Sequence, residues 1–320
     1  HVRGLCEAGE ITVLMITHKF REVTAYADEV SVLRRGKLAG GGKVAELGHG
    51  DMAQMMMGDE TPAEPAGRSG VPGETVLDIS GIRARDRSGL KEIVVDELNV
   101  RAGEIVGIAG ISGNGQMELM EILCGQRPIS GGSIDVKASS YGATRHEARI
   151  KCVRNLPEEP LHNACAPRMS VTENISFRTF DLKGKNTRFW LSQSAMRNAA
   201  VGLVQAFKVK TASLESPMVL LSGGNVQRAV LARELSGEVD LLLISNPCFG
   251  LDFSAVAEIR SRIMDARNGG SAVLLISEDL DEILQLADRV VVMSEGQIAY
   301  ECTVAEADIA VIGRFMGGHA

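Results

Sequence analysis

The chain has 320 residues, of which 45% are hydrophobic and 23% are charged, and this length is enough for one large or two ordinary domains. A formal net charge of −7 gives no electrostatic reason for nucleic-acid binding, because phosphate backbones attract basic surfaces. The six cysteines include no C-x-x-C pair and no apolar run is long enough to cross a bilayer, so a zinc site, a disulfide framework and a membrane span are all disfavoured.

The first predicted elements are repeated near the end of the chain. The segment that starts at Val13 matches the segment that starts at Val273, and the match stays in register to the turn glycines Gly36 and Gly296. In each copy the pattern predicts a buried strand, a helix, a strand, a tight turn, a strand and a helix. The first copy holds only the edge of a sheet and the chain begins with His1, so we expect a fragment of a longer tandem protein.

The repeat divides the chain into three segments. We predict the carboxy-terminal remnant of a first domain, a linker rich in proline and glycine, and a complete second domain, at residues 1–58, 59–75 and 76–320. The second domain alternates strands and helices, which favours an α/β fold with a largely parallel core. A less regular stretch at roughly 157–217 contains Trp190 and predicts a helical insert, with an amphipathic helix over Gln193–Phe207.

A glycine-rich loop follows the predicted strand that ends at Ala109. The run from Gly110 to Gln116 has the strand–loop–helix order and the G-x-x-x-x-G spacing of a phosphate-binding P-loop. Glycines let backbone N–H groups converge on phosphate oxygens, and the following helix adds positive potential. Gln116 stands where such loops have lysine, and Met117 replaces the serine or threonine that holds magnesium. By itself, this loop also fits a plain structural turn.

A second glycine-rich segment opens a predicted helix. The pentad from Leu221 to Asn225 reads Leu-Ser-Gly-Gly-Asn and is followed by Gln227 and Arg228. The whole run resembles the signature segment of the ATP-binding-cassette (ABC) ATPases. That resemblance implies that the hydroxyl of Ser222, the neighbouring glycine amides and the helix amino end face the terminal phosphate of ATP bound to a partner domain.

The apolar strand before Pro247 resembles the Walker B strand of the same ATPases. Ser245 occupies the place of the magnesium-binding aspartate, and Asn246 occupies the place of the glutamate that orients water. Leu251 and Asp252 resemble the D-loop that follows this strand.

Two more positions depart from the family pattern. Glu158 stands at the glutamine of the Q-loop, and Glu278 replaces the switch histidine, which the first copy keeps as His18. The second copy has therefore lost the P-loop lysine, the magnesium ligands, the water-orienting acid and the switch histidine, yet it keeps the signature. The losses are selective, which favours an impaired nucleotide site beside an intact signature.

Taken together, these motifs resemble the tandem ATPase subunits of bacterial importers for simple sugars and nucleosides, over essentially all of the chain. The runs that begin at Ile16, Gly113 and Pro247 are nearest to the nucleoside-type branch, and the ribose-like sugar branch is the near alternative. The resemblance implies an α/β fold of the ABC type, with a P-loop-like parallel core, an antiparallel β subdomain and a helical subdomain.

The resemblance also implies a division of roles. In such ATPases two cassettes pack head to tail, and each ATP lies between the P-loop of one cassette and the signature of the other. The competent site is then expected to use a first-domain P-loop together with catalytic residues of this chain, His18, Ser222, Gly223 and Gly224. The expected nucleotide-binding residues are Gly110, Ser112, Gly113, Asn114, Gly115, Gln116, Met117, Glu158, Ser222, Gly223, Gly224, Asn225, Asp252 and Glu278.

ATP is the implied cofactor, with Mg²⁺ at the competent site only and no metal ligands expected in this chain. The implied partners are the first ATPase domain of the full-length chain, integral-membrane permease subunits and, indirectly, an extracytoplasmic solute-binding protein, but no nucleic acid. The implied location is the cytoplasmic face of the bacterial inner membrane. There, ATP binding and hydrolysis would drive uptake of a nucleoside or a simple sugar.

Other functions stay open at this point. A non-hydrolysing regulatory module that binds nucleotide is compatible with a chain that holds no complete hydrolytic site. A soluble tandem ABC protein acting on ribosomes or nucleic acid is disfavoured by the acidic balance and by the lack of a basic tail. An unrelated dinucleotide-binding enzyme is a weaker alternative, because no G-x-G-x-x-G run follows the strand.

Overall fold

The computed structural model describes residues 1–17, 20–34, 36–57, 67–86, 88–181, 191–251 and 253–318. Contacts between residues divide the chain into two compact units, His1–Glu64 with Leu251–Glu258 and Pro65–Gly250 with Ile259–Ala320. Each unit has its own β-sheet.

The first unit combines a two-stranded antiparallel sheet with short helices. Its elements are α1 (Val2–Glu7), α2 (Phe20–Tyr26), β1 (Glu29–Arg34), β2 (Lys37–Lys43) and α3 (His49–Met57). The connection between the two strands passes through Gly36 at φ +76°, a left-handed conformation that glycine adopts without a steric penalty. From α2 onward, the predicted order of helix, strand, turn, strand and helix is confirmed.

The strand predicted at the start of the first copy is wrong. Residues 11–17 have no regular secondary structure, and Leu14 and Ile16 are 93% and 96% exposed. A buried parallel strand needs hydrogen-bonded neighbours on both sides. In the part of this unit that the structure describes, β1 and β2 pair only with each other, so this segment has no strand to pair with.

The second unit is built on one mixed ten-stranded sheet. Its strands are β3 (Thr75–Arg85), β4 (Glu92–Arg101), β5 (Ile105–Ala109), β6 (Gly131–Val136), β7 (Ser139–Ser140), β8 (Val153–Leu156), β9 (Leu241–Ser245), β10 (Ala272–Ile276), β11 (Arg289–Ser294) and β12 (Gln297–Thr303). They lie in the order β7-β6-β3-β4-β12-β11-β5-β10-β9-β8. The neighbours from β11 to β8 are parallel, whereas the pairs β7–β6, β6–β3, β3–β4 and β12–β11 are antiparallel. Both the parallel core and the antiparallel part were predicted, and both are confirmed.

The remaining helices connect these strands. They are α4 (Gln116–Leu123), α5 (Arg145–Ile150), α6 (Pro160–Asn163), α7 (Val171–Ile175), α8 (Gln193–Ala206), α9 (Gly223–Glu234), α10 (Phe253–Asn268), α11 (Leu280–Leu286) and α12 (Ile309–Met316). Helices α6 to α9 pack against one another and form the helical part of the unit. Helix α8 agrees with the amphipathic helix expected from the sequence, whereas Trp190 lies outside the described residues. None of the helices in the described ranges is long and apolar enough to cross a membrane.

Buried apolar strands form the centre of the second unit. Every residue of β5, β9 and β10 is buried, including the polar Ser245, as expected for parallel strands covered on both faces. Helix α11 approaches β5 closely at Gly107, where an added Cβ would lie 2.5 Å from Cγ2 of Ile283. This packing holds the carboxy ends of the strands, and the loops that follow them, on a rigid base.

Part of the predicted linker is bound to the second unit. Arg68 donates to the carbonyl oxygen of Ala287 over 2.7 Å, and the amide of Ser69 donates to Oδ1 of Asn268 over 3.0 Å. The earlier part of that segment, residues 59–66, lies outside the described residues. This anchoring was not expected from the sequence, because it depends on residues about 200 positions away in the chain.

Local structure repeats between the two units at the positions matched in sequence. Thr17 donates to the carboxylate of Glu22 over 2.6 Å, and Ser277 donates to that of Glu282 over 2.7 Å. The strand pairs β1–β2 and β11–β12 also share the same register shift at corresponding positions. The agreement extends beyond the hydrophobic pattern to individual hydrogen bonds.

Candidate nucleotide site and signature segment

Four loops of the second unit leave the same edge of the parallel sheet. Gly110 follows β5, Glu158 lies just beyond β8, Asn246 follows β9 and Ser277 follows β10. Because neighbouring parallel strands end at one edge, residues that are far apart in sequence are brought together there, in the position where α/β sheets bind ligands.

The side chain of Gln116 folds back into the glycine loop after β5 and makes a hydrogen bond within it. Gln116, which is 5% exposed, donates from Nε2 to the carbonyl oxygen of Ile111 over 3.2 Å. The amide lies so close to Gly110 that a Cβ at that position would overlap it. Gly115, the N-cap residue of α4, has φ +107°, a conformation that glycine adopts without a steric penalty. The loop therefore has the expected shape, with a neutral amide folded into it instead of a cation.

Two contacts of this loop were not foreseen from the sequence. The side chain of Asn114 accepts from the amide of Glu295 over 3.2 Å and thus supports the β11–β12 turn. Lys91 donates from Nζ to the carbonyl oxygen of Gly113 over 3.1 Å and places a positive charge beside the loop. No local motif reveals either contact, because each joins segments that only the sheet brings together. Ser112 is exposed.

Asn246 joins the Q-loop position to the switch position. Its Nδ2 donates to Oε2 of Glu158 over 3.1 Å, and its Oδ1 accepts from the backbone amide of Glu278 over 2.9 Å. Its φ of +43° is left-handed, a conformation in which asparagine is favoured among non-glycine residues. Three positions that depart from the family pattern in sequence are thus connected to one another in the fold.

The residues at the magnesium positions do not fit a magnesium ion. Mg²⁺ requires hard oxygen ligands, usually carboxylates, in octahedral geometry. Met117 offers a thioether, and the Ser245 hydroxyl is fully buried without a hydrogen-bond partner. Across the described residues, no group of three or more histidine, cysteine, aspartate or glutamate side chains could hold a metal ion. A nucleotide would meet backbone amides and the amino end of α4 at this loop, but no cation from residue 116.

The signature segment begins α9 and is open to solvent. Ser222 and Gly223 are exposed, and no atom lies within 4 Å of a Cβ built on Gly223. Ser222 is the N-cap residue, but its side chain makes no capping hydrogen bond. The first-turn amides of a helix lack intrahelical acceptors, so those of Gly223 and Gly224 can donate to an anion together with the Ser222 hydroxyl.

The remainder of α9 is fixed in the protein. Gln227, which is 4% exposed, donates to the carbonyl oxygen of Pro247 over 2.9 Å and links the helix to the segment after β9. At the other end, the fully buried carboxylate of Glu234 accepts from Arg178 and Arg233, each over 2.6 Å. The signature is thus an exposed amino end on a helix whose body is firmly anchored.

Two of the predicted site residues, His18 and Asp252, lie outside the described residues. The other predicted residues fall into two groups, one at the sheet edge and one at the start of α9. No hydrogen bond among the described residues joins Ser222 to the glycine loop. A signature that is separate from the glycine loop of its own domain is suited to a ligand held elsewhere.

The model of the ABC transporter family matches residues 95–248, which include the glycine loop, the signature and β9. A glucose import ATP-binding protein of Haloferax volcanii is 37% identical over 311 residues, which are 96% of this chain and 56% of that protein. A nucleoside import ATP-binding protein of Lactococcus lactis is 34% identical, covering 93% of this chain and 59% of that protein. The chain thus spans somewhat more than half the length of these relatives.

Solved structures share the fold. A dimeric ATP-binding cassette in a post-hydrolysis state, bound to ADP and Pi, superposes with a TM-score of 0.59 at 18% identity. The superposition covers 71% of this chain and 98% of that cassette. At this level of identity the likeness concerns the fold alone, and it agrees with the mixed sheet and helical part expected from the sequence.

Proposed function

The chain contains a nucleotide-binding domain of the ABC transporter family, and we propose that it is the second cassette of a two-cassette ATPase that drives import of a nucleoside or a simple sugar. The observation that carries this proposal is the contrast between the signature and the glycine loop of the same domain. The signature is exposed with its donors available, whereas the domain's own loop is closed by Gln116 and lacks magnesium ligands.

Residues 1–58 are proposed to be the end of the first cassette. The hydrogen bonds and register shift that recur in β11–β12 and its surroundings support a duplication. In this arrangement His18 belongs to the competent site, next to a P-loop of the first cassette. Relatives that match this chain over little more than half of their length are consistent with such an organisation.

At the competent site, this chain supplies hydrogen-bond donors. Ser222 and the amides of Gly223 and Gly224 would donate to the terminal phosphate oxygens of a nucleotide held by the other cassette, where negative charge must be stabilised. Mg-ATP supplies the phosphoryl group that is transferred to water. Closure of the two cassettes would place α9 over the phosphate, and reopening would release it.

The proposed partners are the first cassette and integral-membrane permease subunits, with a solute-binding protein acting indirectly. The proposed location is the cytoplasmic face of the cell membrane. The proposal that the solute is a nucleoside or a sugar rests on the residues of the motifs and on the similar proteins, which include ATP-binding proteins for import of glucose, nucleosides and ribose.

The test compares ATP hydrolysis by this chain with hydrolysis by the complete two-cassette protein. We expect no turnover above background from the 320-residue chain and clear turnover from the complete protein. Replacing the P-loop lysine of the first cassette, or Ser222→Ala, should lower kcat about a hundredfold or more. Asn268→Asp, far along the chain from both motifs, serves as the control and should keep turnover.

The proposal would be overturned by hydrolysis in the 320-residue chain that Gln116→Ala abolishes. That result would mean that the glycine loop of this domain is itself a working site. Full turnover after loss of the first-cassette lysine would contradict the division of roles in the same way.

A further inference from the structure

Asn225 is the last residue of the signature pentad, and its side chain makes two hydrogen bonds within the protein. Its Nδ2 donates to Oγ of Ser222 over 2.8 Å, and its Oδ1 accepts from the backbone amide of Lys210 over 2.7 Å. The amide of Asn225 thus lies between Ser222 and the turn that follows α8, and both of its polar ends are occupied.

The bond from Lys210 determines which way the Asn225 amide faces. A backbone N–H can only donate, so the amide end that meets it must be the oxygen, and the NH₂ group must then face Ser222. A flipped amide would place two donors opposite each other at Lys210. The orientation of Asn225 is therefore set by the protein, independently of any ligand.

This orientation controls the hydroxyl hydrogen of Ser222. A serine hydroxyl has one donor and two acceptor positions. Because its oxygen accepts from Nδ2 of Asn225, the hydrogen cannot point toward Asn225 and must point away from it. Among the described residues, the Ser222 hydroxyl has no hydrogen-bond partner besides Asn225, to which it is an acceptor, so its hydrogen is free to serve an external acceptor.

We propose that Asn225 is a positioning residue that holds the Ser222 hydroxyl as a hydrogen-bond donor toward a phosphate oxygen, and that it does not contact the nucleotide itself. This inference rests on the proposed function, because the phosphate belongs to a nucleotide on the other cassette. It replaces the expectation that Asn225 binds the nucleotide directly.

Asn225→Asp is the decisive variant, because it keeps the shape of the side chain and replaces the donating NH₂ group by an oxygen that accepts. One carboxylate oxygen still accepts from Lys210, but the other can only accept from Ser222, which turns the hydroxyl hydrogen inward. Asn225→Ala leaves the hydroxyl free to rotate. In the complete protein we expect kcat to fall about tenfold or more for Asn225→Asp and about two- to threefold for Asn225→Ala, with KM for ATP nearly unchanged.

A Ser222→Ala background separates this effect from simple charge repulsion. Without the hydroxyl, Asn225→Asp should change kcat less than about twofold, because the group that it misdirects is absent. A carboxylate that merely repelled phosphate would keep its full effect in that background. Asn268→Asp is the control for the same change at a distant site, because the Asn268 amide accepts from the backbone amide of Ser69 and from Arg267 and donates to the carbonyl oxygen of Gly67.

The outcomes separate the two proposals. Equal losses for the Asp and Ala variants, or a full Asp effect in the Ser222→Ala background, would overturn the positioning role while leaving the proposed function intact. Lack of ATP hydrolysis by the complete wild-type protein, or full activity of Ser222→Ala, would overturn the proposed function and this inference with it. Thermal unfolding of the 320-residue variants within about 4 °C of wild type verifies that the fold is kept.

Discussion

Single residues decide what the glycine loop of the second unit can bind. The backbone path from Gly110 to Gly115 provides amides and the amino end of α4, as in a phosphate-binding loop. The Gln116 side chain instead satisfies the carbonyl oxygen of Ile111 and brings no charge. A loop of this kind keeps the shape of a phosphate site but lacks the positive charge that a lysine at position 116 would supply.

Gln116→Lys should therefore strengthen nucleotide binding to the 320-residue chain about tenfold, since a hydrogen bond from a cation to phosphate is roughly twice as strong as a neutral one. Hydrolysis should stay absent, because Met117 offers a thioether and Ser245 a buried neutral hydroxyl where a magnesium site needs an accessible oxygen and a carboxylate. Titration with a fluorescent ATP analogue measures the affinity. Gln116→Met, which adds no charge, is the control, and an equal gain in that variant would contradict the electrostatic argument.

At the scale of elements, contacts made by the ends of α9, rather than the helix propensity of its residues, fix the position of this helix. Its carboxy end is fixed by Glu234, a fully buried carboxylate between Arg178 and Arg233. The backbone amide of Asn155 at the end of β8 also donates to Glu234, over 3.5 Å. The carboxylate of Glu234 thus connects α9 to the sheet and to the helical part of the unit. These contacts fix the direction of the helix and therefore of the exposed signature at its amino end.

Glu234→Ala should lower the free energy of unfolding by about 3 to 5 kcal/mol, because it leaves two arginines without their buried partner. Urea denaturation of the 320-residue chain measures the loss. Glu215→Ala removes an ion pair with Arg197 whose side chains are more than half exposed, and it should cost less than about 1 kcal/mol. Similar costs for the two variants would show that burial of the Glu234 network contributes little.

At the scale of the whole molecule, buried thiols make the folded chain sensitive to alkali. Burial raises the pKa of Cys124 to about 12 and that of Cys165 to about 11, from an ordinary value of 9.0. Between pH 9 and those values the unfolded chain loses thiol protons that the folded chain retains. Stability contributed by these groups is therefore complete below pH 9 and is lost as the pH rises toward 11 and 12.

Between pH 8 and pH 10.5, the wild-type chain should accordingly lose about 3 to 4 kcal/mol more stability than a Cys124→Ala, Cys165→Ala double variant. Urea denaturation under reducing conditions at both pH values measures the difference. The Cys→Ala substitutions also leave cavities, whose destabilising effect is the same at both pH values. Referring each protein to its own stability at pH 8 removes that effect. The same loss in both proteins would assign the alkaline sensitivity to other groups.

Several features of this protein could be predicted from local sequence alone. The glycine loop, the signature pentad and the apolar strand before Pro247 are contiguous motifs, so their chemistry is visible without knowledge of the fold. The strand predicted at Val13 shows the limit of the method. Its apolar pattern is real, but strand formation depends on neighbouring strands, and within the described residues of that unit none is there to pair with it.

By itself, the sequence determined the α/β class with a largely parallel core and the positions where the second unit departs from the ABC pattern, and the resemblance to that family added the antiparallel part of the sheet. The tertiary structure alone decided that Asn246 links Glu158 to Glu278, and that Asn225 is held between Ser222 and Lys210. The physical reason is that a motif records which groups are present, whereas hydrogen-bond direction depends on partners that the folded chain brings within about 3 Å.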